Sequence, residues 1–144
     1  MHFKTFDHGV NIISLKKNNQ FYAMTCAWST QIDDDKVMCL IGEQSVTNSK
    51  IEINDIIAIS VLNIEQKDLS LLIGDTHSNE FNKLIDTIEI MDVVGYKNSN
   101  RILKCQVIEL IKINQECNDL AVIAKIIQSE ELNNKPFLHM SDIR

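Results

Sequence analysis

The 144-residue chain has little of what marks multidomain, membrane or secreted proteins. It has one proline and four glycines, and no stretch reads as a linker, a repeat or a low-complexity segment. We therefore expect a single domain over residues 1–144. The longest apolar runs are far too short to cross a bilayer, and the first residues lack a signal-peptide pattern. The expected location is the cytoplasm, with no membrane partner.

Positive charge is also scarce. The chain has 14 Lys and Arg against 20 Asp and Glu, a net charge of -6, and no basic cluster. A nucleic-acid surface needs clustered positive charge to follow phosphates, so nucleic acid is not an expected partner. The four cysteines lie far apart and form no C-x-x-C pair, which leaves zinc binding and dithiol redox chemistry without support.

Motifs for side-chain catalysis are missing as well. The sequence contains no G-x-S-x-G, H-E-x-x-H, P-loop or G-x-G-x-x-G pattern. The three carboxylates of Asp33–Asp35 occupy a turn and point in different directions, which does not suit a metal ion. The four histidines are scattered. We therefore predict no catalytic side chain and no metal site.

What the sequence does have is strands. β-branched and apolar runs, separated by polar turns, predict strands over 9–16, 21–28, 36–43 and 56–63. The clearest pair covers 101–113 and 120–132, joined by a turn at 114–119. Short helices are expected after an N-cap at Ser45 or Thr47, over 64–74 and over 78–88. This pattern predicts a mainly-β fold, an antiparallel β-barrel with short helices.

One stretch of this pattern makes a poor strand. Residues 19–33, "NQFYAMTCAWSTQID", begin as a strand and then run through small hydroxyl and thiol side chains around the only tryptophan. Small residues on a strand let a flat ligand lie against the backbone, whose N–H and C=O groups can bond to the polar edge of a ring. A plain polar edge strand is the alternative interpretation.

A second stretch, "GEQSVTNSKI" at 42–51, suits an anion. Ser45 and Thr47 lie at a predicted helix N-terminus, and Lys50 follows, which offers hydroxyls, backbone N–H groups and a cation to a phosphate. An ordinary capped helix is the alternative. Together the two stretches describe a ligand with a planar ring at one end and a phosphate at the other.

The order of the segments resembles the flavin reductase-like family, the FMN-binding split barrels that include flavoredoxin. The resemblance covers nearly the whole chain. Each motif is degenerate on its own, so the specificity of the resemblance comes from the order in which the motifs appear. The matching segments are His8-Gly9-Val10, "AMTCAWSTQ", "KVMCLIG", the S.T...I positions Ser45, Thr47 and Ile51, "IAISVL", "NEFNKL", "LKCQVIEL" with Cys105, "VIAKII" and "KPFLHMSD".

This resemblance implies a Greek-key split barrel and a homodimer with FMN, or alternatively FAD, at its interface. It places the flavin ring and ribityl chain along Met24, Thr25, Cys26, Ala27 and Trp28, largely through backbone groups, with Ser29, Thr30 and Gln31 at the ring edge. It gives the phosphate to Ser45 and Thr47, with Asn48 and Lys50 as weaker candidates. Trp28 could shield the flavin, fill the dimer interface, or do both.

The chain departs from the family pattern in several places. Asp33–Asp35 replaces a proline-containing turn, and Asp55-Ile56 replaces a glycine-aromatic pair. The stretch from Leu62 to Phe81 is compact where longer relatives shape a nicotinamide pocket, and Asp119 stands where many reductases have histidine. These departures leave FMN binding in place and weaken the expectation of fast NADH or NADPH oxidation.

The leading functional expectation is an NAD(P)H-dependent, flavin reductase-like oxidoreductase that passes electrons through bound FMN. A flavin carries the redox chemistry itself, which agrees with the lack of a catalytic constellation. One alternative is a non-enzymatic FMN-bound electron carrier, whose negative charge would suit a redox partner protein with a basic patch. The other is a split barrel that has lost flavin binding.

Overall fold

Strands make up most of the structure, a computed structural model that describes residues 5–78 and 81–143. The strands are β1 Asn11–Lys17, β2 Gln20–Cys26, β3 Ser29–Asp33, β4 Lys36–Ile41, β5 Ile56–Val61, β6 Thr87–Ile90, β7 Val93–Tyr96, β8 Arg101–Lys112 and β9 Leu120–Glu131. The helices are α1 Val46–Lys50, α2 Lys67–Gly74, preceded by a 3-10 turn at Ile64–Gln66, and α3 Met140–Ile143. The prediction of a mainly-β fold with short helices is confirmed.

Seven strands form one antiparallel sheet in the order β2-β1-β5-β8-β9-β4-β3, and β6 and β7 form a separate hairpin. The two ends of the sheet curl towards each other. Asn11 in β1 donates from Nδ2 to Ser29 Oγ in β3 at 2.9 Å, and Cys26 Sγ in β2 donates to Leu40 O in β4 at 3.5 Å. The sheet therefore closes as a barrel that is split between β2 and β3.

The barrel has an apolar core on each face of β1. Inside the barrel lie Ile13, Leu15, Ile41, Ile57, Val107 and Val122, all buried. On the other face, Ile12 packs with Ile73 of α2, Tyr96 of β7 and Leu138. Burial on both faces explains why β1 reads as a continuous apolar run instead of an alternating one.

The helix predicted over 78–88 is wrong. Residues 81–86 follow an irregular path and Thr87–Ile90 forms β6, while residues 79 and 80 lie outside the described part of the chain. Lys83 is the physical reason, because its ammonium group is buried against carbonyls of β2 and α2. One of these partners, Ala23, lies 60 residues away in sequence, so local periodicity does not reveal the contact.

The other elements follow the prediction more closely. The predicted strand over 21–28 ends at Cys26, and the helix over 64–74 consists of the 3-10 turn and α2. The β6–β7 hairpin is an addition that was not predicted. Its turn uses Met91 and Asp92 with positive φ values of 54° and 59°, a sequence without the usual glycine. In the described part of the chain, no helix is both long and apolar enough to cross a membrane.

Candidate functional site

A small cleft lies where β2, the N-terminus of α1 and the C-terminus of α2 meet, and we call it the β2 cleft. Its volume is about 100 Å³. An open groove along β2 and α1 adjoins it and shares Gln44, Ser45 and Val46 with it. The cleft is lined by Ala23, Met24, Thr25, Gln44, Ser45, Val46, Ile73, Gly74, Thr76, His77, Ser78 and Lys83.

The open edge of β2 forms one wall of the cleft, since β2 is the last strand of the sheet. At Ala23, Ser78 Oγ bonds both backbone groups, accepting from the N–H at 3.0 Å and donating to the C=O at 3.2 Å. Backbone groups of a strand alternate in direction, so Thr25, two residues on, turns its N–H and C=O to the same edge. The cleft thus presents a backbone donor and acceptor side by side.

Ser45 joins the two predicted ligand segments. It is the N-cap of α1, where its Oγ accepts from Thr47 N at 3.2 Å. The same hydroxyl donates to Met24 Sδ of β2 at 3.4 Å. A thioether sulfur is a weak acceptor, so this hydrogen is available to a stronger acceptor at low cost.

Thr47 carries an unusual polar group. The residue is fully buried, with 0% of its surface exposed, and Oγ1 has no hydrogen-bond partner among the described residues. A buried hydroxyl without a partner costs about 1–3 kcal/mol. Few such groups persist in folded proteins without a reason, and a bound anion is one of the reasons.

The two remaining phosphate candidates differ from each other. Asn48 uses both amide hydrogens inside the protein, donating to Ile41 O at 3.0 Å and to Asn118 O at 2.8 Å. Lys50 is exposed beside the open groove, and its ammonium forms no bond within 5–78 or 81–143. Lys50 is therefore free to meet an anion, whereas Asn48 holds α1 against the neighbouring loop.

Sequence reasoning missed Lys83. The side chain is only 3% exposed, and Nζ donates to Ala23 O at 2.7 Å, Ile73 O at 2.9 Å and Thr76 O at 2.7 Å. Burial lowers the pKa of Lys83 to about 8. The ammonium ties β2 to the end of α2 and so fixes the width of the cleft. Its contact with Ala23 spans 60 residues of sequence, so no local signal marks it.

Cys26, predicted to lie along the ring, points into the barrel core. It is 2% exposed, and its Sγ donates to Leu40 O at 3.5 Å. Cys39 lies beside it, and the hydrogen bond between the thiols together with burial raises the pKa of Cys39 well above its usual value. Both thiols therefore pack as small core side chains in this structure.

The rest of the predicted ring segment lies elsewhere. Ala27 and Trp28 connect β2 to β3, and Trp28 is 60% exposed in an apolar depression of about 330 Å³ with His8, Leu40 and Ile113. Ser29, Thr30 and Gln31 line a third cleft, at the mouth of the barrel. The structure thus brings Met24 and Thr25 together with Ser45, and it separates them from the residues after Cys26.

Comparison with known proteins identifies the fold. No family model matches the sequence, and no curated protein matches it. Among solved structures, the chain is similar to the Streptomyces globisporus C-1027 NADH:FAD oxidoreductase SgcE6, at TM-score 0.83 and 15% identity, covering 96% of this chain and 84% of that chain. This chain has the flavin reductase-like fold.

Two further structures support this assignment. The flavin reductase of styrene monooxygenase from Pseudomonas putida S12 matches at TM-score 0.79 and 14% identity, covering 96% of this chain and 89% of that one. Flavoredoxin from Methanosarcina acetivorans matches at TM-score 0.78 and 13% identity, covering 94% of this chain and 78% of that one. The family resemblance predicted from the order of motifs is confirmed at the level of the fold.

The β2 cleft and its adjoining groove fit a flavin mononucleotide in chemistry. Ser45 and Lys50 both line the open groove, where a hydroxyl hydrogen and an ammonium suit a phosphate, whereas Thr47 is buried on the same helix and lines neither the cleft nor the groove. The free backbone edge at Thr25 suits the polar side of a ring. The enclosed part of the cleft is too small for the whole ligand, so most of it would lie in the open groove.

Proposed function

We propose that the chain binds a flavin, with FMN as the first candidate and FAD as the second, and acts as an NAD(P)H-dependent, flavin reductase-like oxidoreductase. The observation that carries this proposal is the contact between Ser45 Oγ and Met24 Sδ at 3.4 Å. Through it, the segment that we assign to the ring and the segment that we assign to the phosphate share one cleft. Solved neighbours described as flavin reductases and as an FMN-binding protein support the proposal.

At the phosphate end, three side chains have distinct tasks. Ser45 would exchange its weak bond to sulfur for a charge-assisted bond to a phosphate oxygen. Thr47 would gain the partner that it lacks. Lys50 would add a positive charge in a protein whose net charge is -6. Asn48 would shape the loop and not contact the ligand.

At the ring end, the backbone of Thr25 would bond to the polar edge of the flavin, which carries both N–H and C=O groups. Met24 would lie against the ring as a soft, adaptable surface. When bound, a flavin supplies hydride acceptance and transfer of one or two electrons. The chain then needs only to hold the ring and limit its access to water.

The test begins with the absorption spectrum of the purified protein after FMN is added and the excess removed. A retained flavin spectrum is expected. Under anaerobic conditions, NADH or NADPH should then bleach it. A protein that retains no flavin contradicts the binding site, and retained flavin that neither nucleotide bleaches contradicts the reductase activity.

The placement of the phosphate has a separate test. The double variant Ser45→Ala with Thr47→Ala removes both hydroxyls, and we expect FMN affinity to fall by about 10-fold or more. Thr87→Ala is the control for loss of a hydroxyl, because Thr87 lies on the separate β6–β7 hairpin and lines neither the β2 cleft nor the open groove. Unchanged FMN affinity in the double variant would show that the phosphate binds elsewhere.

One observation favours the alternative of a non-enzymatic electron carrier. Lys83 holds the segment after α2 against β2, which leaves about 100 Å³ in the enclosed cleft and little room for a nicotinamide beside a flavin. A carrier would keep its flavin spectrum with NADH and lose it with dithionite. It would also exchange electrons with a redox protein that carries a basic patch.

We also propose that the protein is a homodimer with the flavin at the subunit interface. Support comes from the apolar depression around Trp28, where Trp28 is 60% and Ile113 is 52% exposed. Exposed apolar surface of this kind is typical of protein interfaces. Sedimentation should give a dimer, and Trp28→Ala should weaken it. A monomer that retains FMN would contradict the interface site.

A further inference from the structure

The cleft at the mouth of the barrel is larger than the β2 cleft and lies away from it. Its volume is about 450 Å³, within the range of small-molecule sites. Apolar side chains from four strands form most of its surface: Val37, Ile59, Val61, Leu103 and Ile126. Phe137 closes one side. None of the residues that we assign to the flavin phosphate line it.

Strand register explains how the apolar surface of this cleft, which we call its floor, is built. Asn11, Val61 and Arg101 face one another across β1, β5 and β8. Residues directly opposite in antiparallel strands project from the same face of the sheet, so these three side chains form one row. Ile59 and Leu103 form the next row on that face. The result is an apolar floor with one cation at its end.

Arg101 is not saturated by the protein. Its Nε is buried and has no hydrogen-bond partner within residues 5–78 and 81–143. The nearest carboxylate is that of Glu131, with 3.8 Å between Nη2 and Oε1, which is beyond hydrogen-bond distance. The guanidinium carbon lies 6.0 Å from the centre of the Phe137 ring, an arrangement that orients the group without using its N–H donors.

We propose that the barrel mouth binds a small apolar carboxylate, most simply an aromatic monocarboxylate, with its carboxylate on Arg101 and its ring on the aliphatic floor. A guanidinium offers two parallel N–H groups that match the two oxygens of a carboxylate. The floor residues Ile59 and Leu103 take the apolar body. The hydroxyl of Ser129, opposite Leu103 on β9, provides a further polar contact.

A phosphate fits this cleft less well than a carboxylate. Arg101 is the only cation that lines the cleft among the described residues, and Glu131 lies close to it, so a doubly charged group would be undercompensated. Asp34 also lines the cleft, but it is at the far end. Ile126 of β9 donates its N–H to the carbonyl of Asp35, the neighbour of Asp34, whereas Arg101 is paired with Glu131 of β9. Ile126 and Glu131 are five residues apart on that strand, so the backbone at the two ends of the cleft is separated by about 16 Å.

The experiment is a titration of the full chain with 2-naphthoate and with its uncharged analogue 2-naphthamide, at constant ionic strength. Calorimetry and amide chemical shifts follow the binding. We expect saturable binding of 2-naphthoate, with shifts concentrated at Thr30, Arg101 and Ser129. The amide should bind at least 10-fold more weakly. Saturating FMN should leave the affinity for 2-naphthoate unchanged, because the two sites are separate.

The key variant is Arg101→Gln, which should weaken 2-naphthoate by at least 10-fold and 2-naphthamide by less than 2-fold. Lys104→Gln is the matched control: it removes the same charge from the same strand, at a position outside the cleft lining. Should Arg101→Gln fail to fold, the preference of the wild type for carboxylate over amide decides the question alone.

Three outcomes would overturn the proposal. They are equal affinity for the carboxylate and the amide, equal affinity of Arg101→Gln and wild type for 2-naphthoate, and displacement of 2-naphthoate by FMN or by inorganic phosphate at equal concentration. The naphthoate titration does not need bound flavin. A failure of flavin binding in the β2 cleft therefore leaves this test intact, and the reverse also holds.

Discussion

Lys83 and Arg101 are both cationic side chains that line a cleft, but the protein treats them in opposite ways. Lys83 donates all three ammonium hydrogens to backbone carbonyls. Arg101 makes no hydrogen bond from its guanidinium to a described residue. A cation whose donors are used by the protein holds structure, and a cation whose donors are unused is ready for a ligand. The comparison assigns Lys83 to the architecture of the β2 cleft and Arg101 to recognition in the barrel mouth.

The two clefts also differ in width, and the difference follows from how each cation is bonded. The β2 cleft is narrow because Lys83 draws Ala23, Ile73 and Thr76 together. The barrel mouth is wider, and its cation, unlike Lys83, draws no walls together, although Asn11 Nδ2 of β1 donates to Ser29 Oγ of β3. Loss of Lys83 should therefore lower the stability of the protein. Loss of Arg101 should affect only ligand binding in the barrel mouth.

The largest expected effect is on stability. Lys83→Met removes the ammonium donor from three carbonyls, of which Ala23 O keeps Ser78 Oγ as a partner, so we expect the free energy of unfolding to fall by about 3 kcal/mol. Arg101→Gln should change it by less than about 0.5 kcal/mol, because no protein hydrogen bond is lost. Urea unfolding at pH 7 measures both.

Lys16→Met controls for the loss of a lysine, because Lys16 is exposed on β1. Two results would contradict the contrast between Lys83 and Arg101. If Arg101→Gln were as destabilising as Lys83→Met, the guanidinium would have a structural role. If Lys83→Met matched Lys16→Met, the three carbonyl bonds would contribute nothing.

The next effect concerns Thr47, whose buried hydroxyl has no hydrogen-bond partner among the described residues. Thr47→Val keeps the shape of the side chain and removes the unpartnered hydroxyl. We expect the flavin-free protein to gain about 1 kcal/mol of stability and FMN affinity to fall by about 10-fold. Opposite signs of the two effects are the signature of a group kept for a ligand. Thermal unfolding and FMN titration measure them, and a loss of stability without a change in affinity would mean that the hydroxyl serves the fold.

How far the sequence predicts this molecule depends on the range of the interactions. The β8–β9 hairpin and the Ser45 cap follow from local patterns, and both are present. The helix expected over 78–88 fails because Lys83 binds to Ala23, 60 residues away. No periodicity within one segment contains that contact.

The candidate site shows the same limit. The sequence predicts Met24, Thr25 and Ser45 as neighbours of a ligand, and the three residues line one cleft. Ser29–Gln31 follow them in sequence and line another, because the chain changes direction at Ala27 and Trp28 and crosses the split in the barrel. Arg101 and Lys83 enter only through strand register and long-range contacts, so the sequence alone does not reveal their roles.

The last expected effect is the pH dependence of the Lys83 contribution. Burial lowers the pKa of Lys83 in the folded protein to about 8, below the ordinary value of 10.5 expected in the unfolded chain. Between these values the unfolded chain binds more protons than the folded protein. The stability of the wild type should therefore increase with pH from about 8 to 10.5 and be lowest below pH 8. Methionine does not titrate, so the destabilisation caused by Lys83→Met should grow from pH 7.5 to pH 9.5. Urea unfolding of both proteins at the two pH values measures this growth, and the other titrating groups cancel in the difference. A destabilisation that is equal at both pH values would mean that the three carbonyls compensate the burial of the charge and hold the ammonium protonated throughout.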